Sequence, residues 1–216
     1  QVLAGRGGAP ALPEQPTPEE QQKAIAAALE LAAAERPPRD KVVDFARDSL
    51  QRATEFVRAR NLVSVPDDPI DIIIMPEFQR GFSVAYCDPP GPLDVGQKTF
   101  FAISPIPDDW DQKKVESFLR EYNTRGIQDL TFHEAMPGHY LQLAASNRYP
   151  SKLRSLLGSG SFVEGWGVYA ERVIAEFAPF CRWWIPVREP MHWITMACLE
   201  RRWPGRIRVL YRAYPL

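Results

Sequence analysis

The segment His133-Glu134-Ala135-Met136-Pro137-Gly138-His139 places two histidines and an acid within seven residues. Imidazole nitrogens and carboxylates are the donors of catalytic zinc sites, and a glutamate beside such a site can act as a general base. In the usual HExxH helix the two histidines are four residues apart and share one face. Here they are six apart, and six residues advance about 600°, which leaves the rings about 120° apart around the axis. An undistorted helix cannot offer both rings to one ion. Pro137 removes the backbone donor that would bond the His133 carbonyl, and Gly138 tolerates unusual dihedrals. A bulge or kink at that pair can bring His139 back to the His133 face. The chain has only three histidines, and two fall here. The plain alternative is a pair of polar residues flanking a helix kink, with His133 hydrogen-bonded in the core.

A third ligand must come from another element, because catalytic zinc keeps three protein ligands and an open position. The stretch Ser161-Phe162-Val163-Glu164-Gly165-Trp166-Gly167 offers Glu164 on the next helix. The same spacing reads as a capping box, with Ser161 as cap and Glu164 as its partner. Gly165 and Gly167 flank Trp166 in the first turns and cost about 1 kcal/mol each in a helix. A close approach by another backbone would account for them. Glu171 lies seven residues after Glu164, on the same face, where it can hold a ligand histidine from behind. A solvated helix acid is its alternative role. Tyr140 and Tyr169 are either aromatic supports of the site or core residues, and core is the simpler reading.

The elements that must position these groups follow from the remaining pattern. Thr17-Pro18-Glu19-Glu20 is a helix start, with Thr17 as N-cap, Pro18 at the first position and Glu20 closing a capping box. That helix runs to about Glu35 and ends at Arg36-Pro37-Pro38. A second helix spans roughly 40–60, with Asp40 as cap, and the two read as an antiparallel pair. Three strand candidates follow: Ile70 to Ile74, Phe82 to Asp88, and Lys98 to Ser104. After Pro107, Asp108 or Asp109 can cap a helix carrying Val115, Phe118, Leu119 and Tyr122. Asn123 to Gly126 reads as a turn. A longer helix then runs from Ile127 through the histidines to Leu143, and a last one from Ser161 to about Phe177. The fold class is therefore mainly α with a small antiparallel β-sheet (α+β).

Composition narrows the function. With 216 residues and a formal net charge of −1, there is no overall basic field, so nucleic acid is not an expected partner. There is no apolar run of about 18 residues, so no membrane-spanning helix is expected. Three scattered cysteines, Cys87, Cys181 and Cys198, cannot build a disulfide scaffold.

HEAMPGHYLQ followed about twenty residues later by VEGWGVYAE, together with MPEFQRGFSVAYCDPPGPLD and FFAISPIPDDW, resembles the bacterial family known as domain of unknown function 885. Members of that family resemble gluzincin-type zinc metallopeptidases. The resemblance covers roughly residues 20–176. It implies that His133, His139 and Glu164 bind one zinc ion, that Glu134 is the general base, and that the substrate is peptide-like. By analogy with gluzincins, the strand KTFFAIS would line the cleft and pair with an extended peptide. No residue for stabilising the oxyanion is assigned. The alternative function is a truncated, catalytically inactive metal-binding or interaction fragment.

The expected organisation is a linker or remnant over 1–17, a metallopeptidase-like core fragment over 18–177, and an aberrant tail over 178–216. Residues 176–216 hold four of the six tryptophans, seven arginines and three glutamates, with no lysine or aspartate. They read as out-of-frame translation from about codon 177. A divergent basic tail, and a surface patch for membrane or nucleic acid, are the alternatives. With Gln at position 1, the sequence reads as truncated at both ends. Compartment and oligomeric state are not determined by the sequence, with a lean to an extracytoplasmic or periplasmic location.

Overall fold

The computed structural model describes residues 13–81 and 83–177. Helix α1 spans Pro18–Ala34, and its capping box forms as expected: the Thr17 side chain accepts from the Glu20 N–H while the Glu20 carboxylate takes the Thr17 N–H. Helix α2 spans Val42–Ala59 and is preceded by a 3-10 turn over Arg39–Lys41. Asp40 lies inside that turn, so it does not cap α2 as predicted; Lys41 holds the cap position with no side-chain bond.

The two helices do not pair. Helix α1 packs mainly on α3 (Gln112–Glu121) and α4 (Thr124–Glu134). Its end is tied to α4 where the Thr124 N–H donates to the Glu35 carbonyl at 2.8 Å and Arg125 meets Glu35 at 2.7 Å. The reason is the surface it offers. Ile25 and Leu29 stay exposed and only Ala32 and Ala33 are buried, so α1 has no broad apolar stripe for α2.

Strands β1 (Ile70–Ile74), β2 (Ala85–Asp88) and β3 (Thr99–Ile103) form one sheet in the order β1-β3-β2. Strand β3 is antiparallel to β2 but parallel to β1, in register Ile70↔Thr99 to Ile74↔Ile103. The α+β class stands, and the sheet is mixed rather than antiparallel. The chain leaves β1 and reaches β2 across a slot that β3 later fills. Neither strand order nor direction is written in a local β-branched run.

Asp111, not Asp108 or Asp109, caps α3 by accepting from the Lys114 N–H at 2.8 Å. Asn123 is the cap of α4 rather than part of a free turn, its Oδ1 accepting from the N–H groups of Arg125 and Gly126. The expected single helix through the histidines is two helices: α4 stops at Glu134 and α5 begins at His139, running to Arg148. Short α6 (Lys152–Leu156) and long α7 (Gly160–Phe177) complete the described chain. None of the described helices is long and apolar enough to cross a membrane. Residues 178–216, where the aberrant tail was expected, lie outside the described residues.

Helix α4 is the hub, packed between α2 and α7 and touching β2. Phe132 and Met136 at its end are buried with Ala53, Val57 and Ile174 from the flanking helices. On the other side, Phe101 and Ile103 of β3 meet Val115, Leu119 and Ile127. Phe132 is 1% exposed and immediately precedes His133. Truncating it leaves a cavity at the residue that aims the histidine. Phe132→Ala is expected to lower unfolding stability by about 3–5 kcal/mol in urea denaturation; a loss below about 1 kcal/mol would show that α4 is not the hub.

Candidate functional site

The end of α4 turns at Ala135–Gly138, and the Met136–Pro137 peptide bond is cis. A Cβ placed on Gly138 would overlap the carbonyl oxygens of His133 and Phe132. Glycine is thus required here for close approach; its φ is −78°, within the range of any residue. The turn is held from α7, where the Trp166 Nε1–H donates to the Pro137 carbonyl at 2.9 Å. The outcome is the one the spacing demanded, by a different route. Instead of a bulge within one helix, a complete break sets the His133 and His139 rings 4.6 Å apart and nearly perpendicular.

His133, Glu134 and His139 bring one donor atom each to within 4.8 Å of one another, a cluster that could hold a metal ion. Glu164, from α7, faces the same point. Its Oε2 is 3.3 Å from His133 Nε2 and 3.7 Å from His139 Nε2. Helix α7 begins at Gly160, one residue before the expected start, so Ser161 lies inside it and the capping-box reading of Ser161 and Glu164 does not hold. Gly167 is explained by a ring rather than a backbone: a Cβ there would stand 2.6–2.8 Å from His133 ring atoms.

Glu171 sits behind His133, as the seven-residue spacing from Glu164 suggested. The His133 Nδ1–H donates to Glu171 Oε1 at 2.6 Å. Glu171 is buried, at 5% exposure. Tyr140 points into the core and donates to the Asp68 carbonyl. Tyr169 is half-buried beside Trp166.

Two contributors escaped the sequence reading. The first is the Cys87 backbone on β2, whose N–H donates to Glu134 Oε2 at 3.0 Å. No side-chain pattern could reveal it. The second is Asp129, buried one turn before His133 with Oδ2 lacking a partner. Its four-residue spacing from His133 was a usable signal. The expected role of KTFFAIS is corrected by topology: β3 is paired on both sides, so it has no edge to offer. Among the described residues the edge strand beside Glu134 is β2, and its Cys87 N–H is already taken by that carboxylate.

Charge in this cluster is arranged by burial and close carboxylates. Burial alone would lower the pKa of His133, but the Glu171 hydrogen bond and charge, with Glu134 and Glu164, outweigh it and lift the value to about 9. Burial pushes Glu134 up to about 7, against the pull of His133 and the Cys87 N–H and with a further push from Glu164 and Glu171. Burial, then the charge of His133, lowers His139 to about 4. Burial and then the Glu171 charge hold Asp129 well above the usual carboxylate range.

These shifts carry a sign. Folded His133 keeps its proton where the unfolded ring, with an ordinary pKa of about 6.5, has lost it. The stabilisation is full below about 6.5 and disappears as pH rises through about 9. Glu134, raised to about 7, finishes ionising in the lower part of this window and adds a small fall of the same sign. The metal-free protein is therefore expected to melt at progressively lower temperature from pH 7 to 9, and Glu171→Gln to flatten that slope; parallel slopes would refute the His133–Glu171 origin. Gly167→Ala is expected to cost about 1–3 kcal/mol in denaturant unfolding through overpacking on the His133 ring, whereas a neutral change would mean the ring is free to move.

Comparison with solved structures places this architecture. A candidate lipoprotein of unknown function from Shewanella oneidensis aligns with a TM-score of 0.64 and 32% identity, over 88% of this chain and 32% of that one. A similarly described lipoprotein from Colwellia psychrerythraea aligns with a TM-score of 0.57 and 18% identity, over 83% of this chain and 28% of that one. The second likeness is one of fold alone. The chain spans about a third of the length of these solved proteins. No protein of curated function matches it. The family model described as bacterial protein of unknown function (DUF885) matches residues 11–195, beyond the 20–176 span over which the motifs carry the resemblance.

Proposed function

The chain belongs to the bacterial DUF885 family, and from its site we propose zinc-dependent hydrolysis of a peptide or related amide bond. One observation supports this reading most: His133 Nε2 and His139 Nε2 lie 3.3 and 3.7 Å from Glu164 Oε2. A tetrahedral ion with bonds of about 2.0–2.2 Å separates its ligand atoms by roughly 3.3–3.6 Å. Two imidazoles and one carboxylate are also a donor set of catalytic zinc, leaving a fourth position open. In this reading His133, His139 and Glu164 hold the ion. Zinc bound there would polarise a substrate carbonyl and lower the pKa of water.

The protein's own groups do the rest. Glu134, whose donor atom lies within 4.8 Å of those of His133 and His139, is the carboxylate within reach of the open position. It takes a proton from the attacking water and returns it to the leaving amine. The Cys87 N–H fixes the direction of its carboxylate. Glu171 keeps the His133 ring turned so that Nε2 faces the donors.

The wild-type chain is expected to bind one zinc ion and to cleave members of a peptide library. Glu134→Gln should retain zinc and lose turnover by about 10²–10⁴-fold. A wild type that binds zinc yet cleaves nothing would leave an inactive metal-binding protein in place of the enzyme.

A further inference from the structure

The two histidines of the cluster are supported unequally. His133 Nδ1 is bound by Glu171 at 2.6 Å. His139 Nδ1 is buried with no hydrogen-bond partner. One turn later on α5, Gln142 Oε1 is also buried with no partner. Leaving a buried polar group unpaired costs about 1–3 kcal/mol. The two atoms are complementary: a ring that offers Nε2 as a ligand carries its hydrogen on Nδ1 and needs an acceptor, and an amide oxygen is one.

Their placement allows the pair to form. Residues three apart on a helix are neighbours, and helical side chains lean toward the N-terminus over the preceding turn. Gln142 therefore leans toward His139, and rotation of its side chain between staggered positions brings Oε1 toward Nδ1. No backbone movement is needed, since the Gln142 N–H stays on the Gly138 carbonyl at 3.2 Å.

We infer that Gln142 is the positioning residue of His139: its Oε1 accepts the Nδ1–H and holds the ring with Nε2 toward Glu164. The inference rests on the reading of His139 as a ligand under the proposed function. Ligand histidines almost always donate their second ring N–H, and removing the acceptor typically weakens metal binding 10–100-fold. Of the two, only His139 lacks that support.

The test is nitrogen-15 NMR of the histidine side chains in the metal-free chain at pH 7.5, with His139 assigned by its absence in His139→Gln. The wild type should show the Nδ1–H tautomer. Gln142→Leu should shift it toward Nε2–H, and Gln142→Glu, which keeps an acceptor, should restore it. Zinc competition against a chelator should then give about 10–100-fold weaker binding for Gln142→Leu than for the wild type. An Nε2–H tautomer in the wild type, or an unchanged tautomer in Gln142→Leu, overturns the inference, whatever zinc does. A wild type that shows the Nδ1–H tautomer but binds no zinc overturns the ligand reading instead and leaves the hydrogen bond standing.

Discussion

Everything at this site depends on how closely Gly138 lies against the carbonyl end of α4. The helix stops at Glu134, with the Ala135 N–H on the Thr131 carbonyl as its last bond. The space a side chain would fill is taken by the oxygens of Phe132 and His133. With the chain folded that tightly, α5 starts at once, and His139 stands over His133 instead of a third of a turn away. A wider turn would place the second ring elsewhere. Trp166 then fastens the turn to α7, the helix that carries Glu164 and Glu171. Position of the turn and position of the third donor are thus coupled.

A second constraint is electrostatic. Three carboxylates, Glu134, Glu164 and Glu171, surround His133. Their charge and hydrogen bonding raise His133 to about 9, and burial with the Glu171 charge holds Asp129 beneath it well above the usual carboxylate range. Carboxylate charge takes the place of water in holding the His133 proton. Burial is what makes the substitution necessary, since the same acids in water would be screened. The cluster is therefore organised around positive charge on His133.

Much of this was legible beforehand, and the failures have common causes. The capping box at Thr17 and the Ile70–Ile74 strand read correctly because both are local: neighbouring residues decide them. The convergence of His133 and His139 was legible because a breaker stood between two ligand types. Glu171 followed from helix periodicity. The direction of β1 relative to β3 did not, since pairing is settled by the tertiary path of the chain. The role of KTFFAIS failed for the same reason: an edge strand and a central strand look alike in sequence. Gly167 was flagged as a close approach, but the approaching group was a ring arriving from 34 residues upstream. The Cys87 contribution is made by backbone, which every residue but proline possesses, so nothing in the sequence could mark it.

The exposure of the donors is uneven. The side chains of His133 and His139 are 18% and 10% exposed, while that of Glu164 is 62% exposed. The histidines form a floor walled by α4, α5 and the sheet, and Glu164 stands at the rim. The cluster therefore has a front and a back. The imidazoles are held by the packing around them, while the carboxylate keeps side-chain freedom that ordering it would cost.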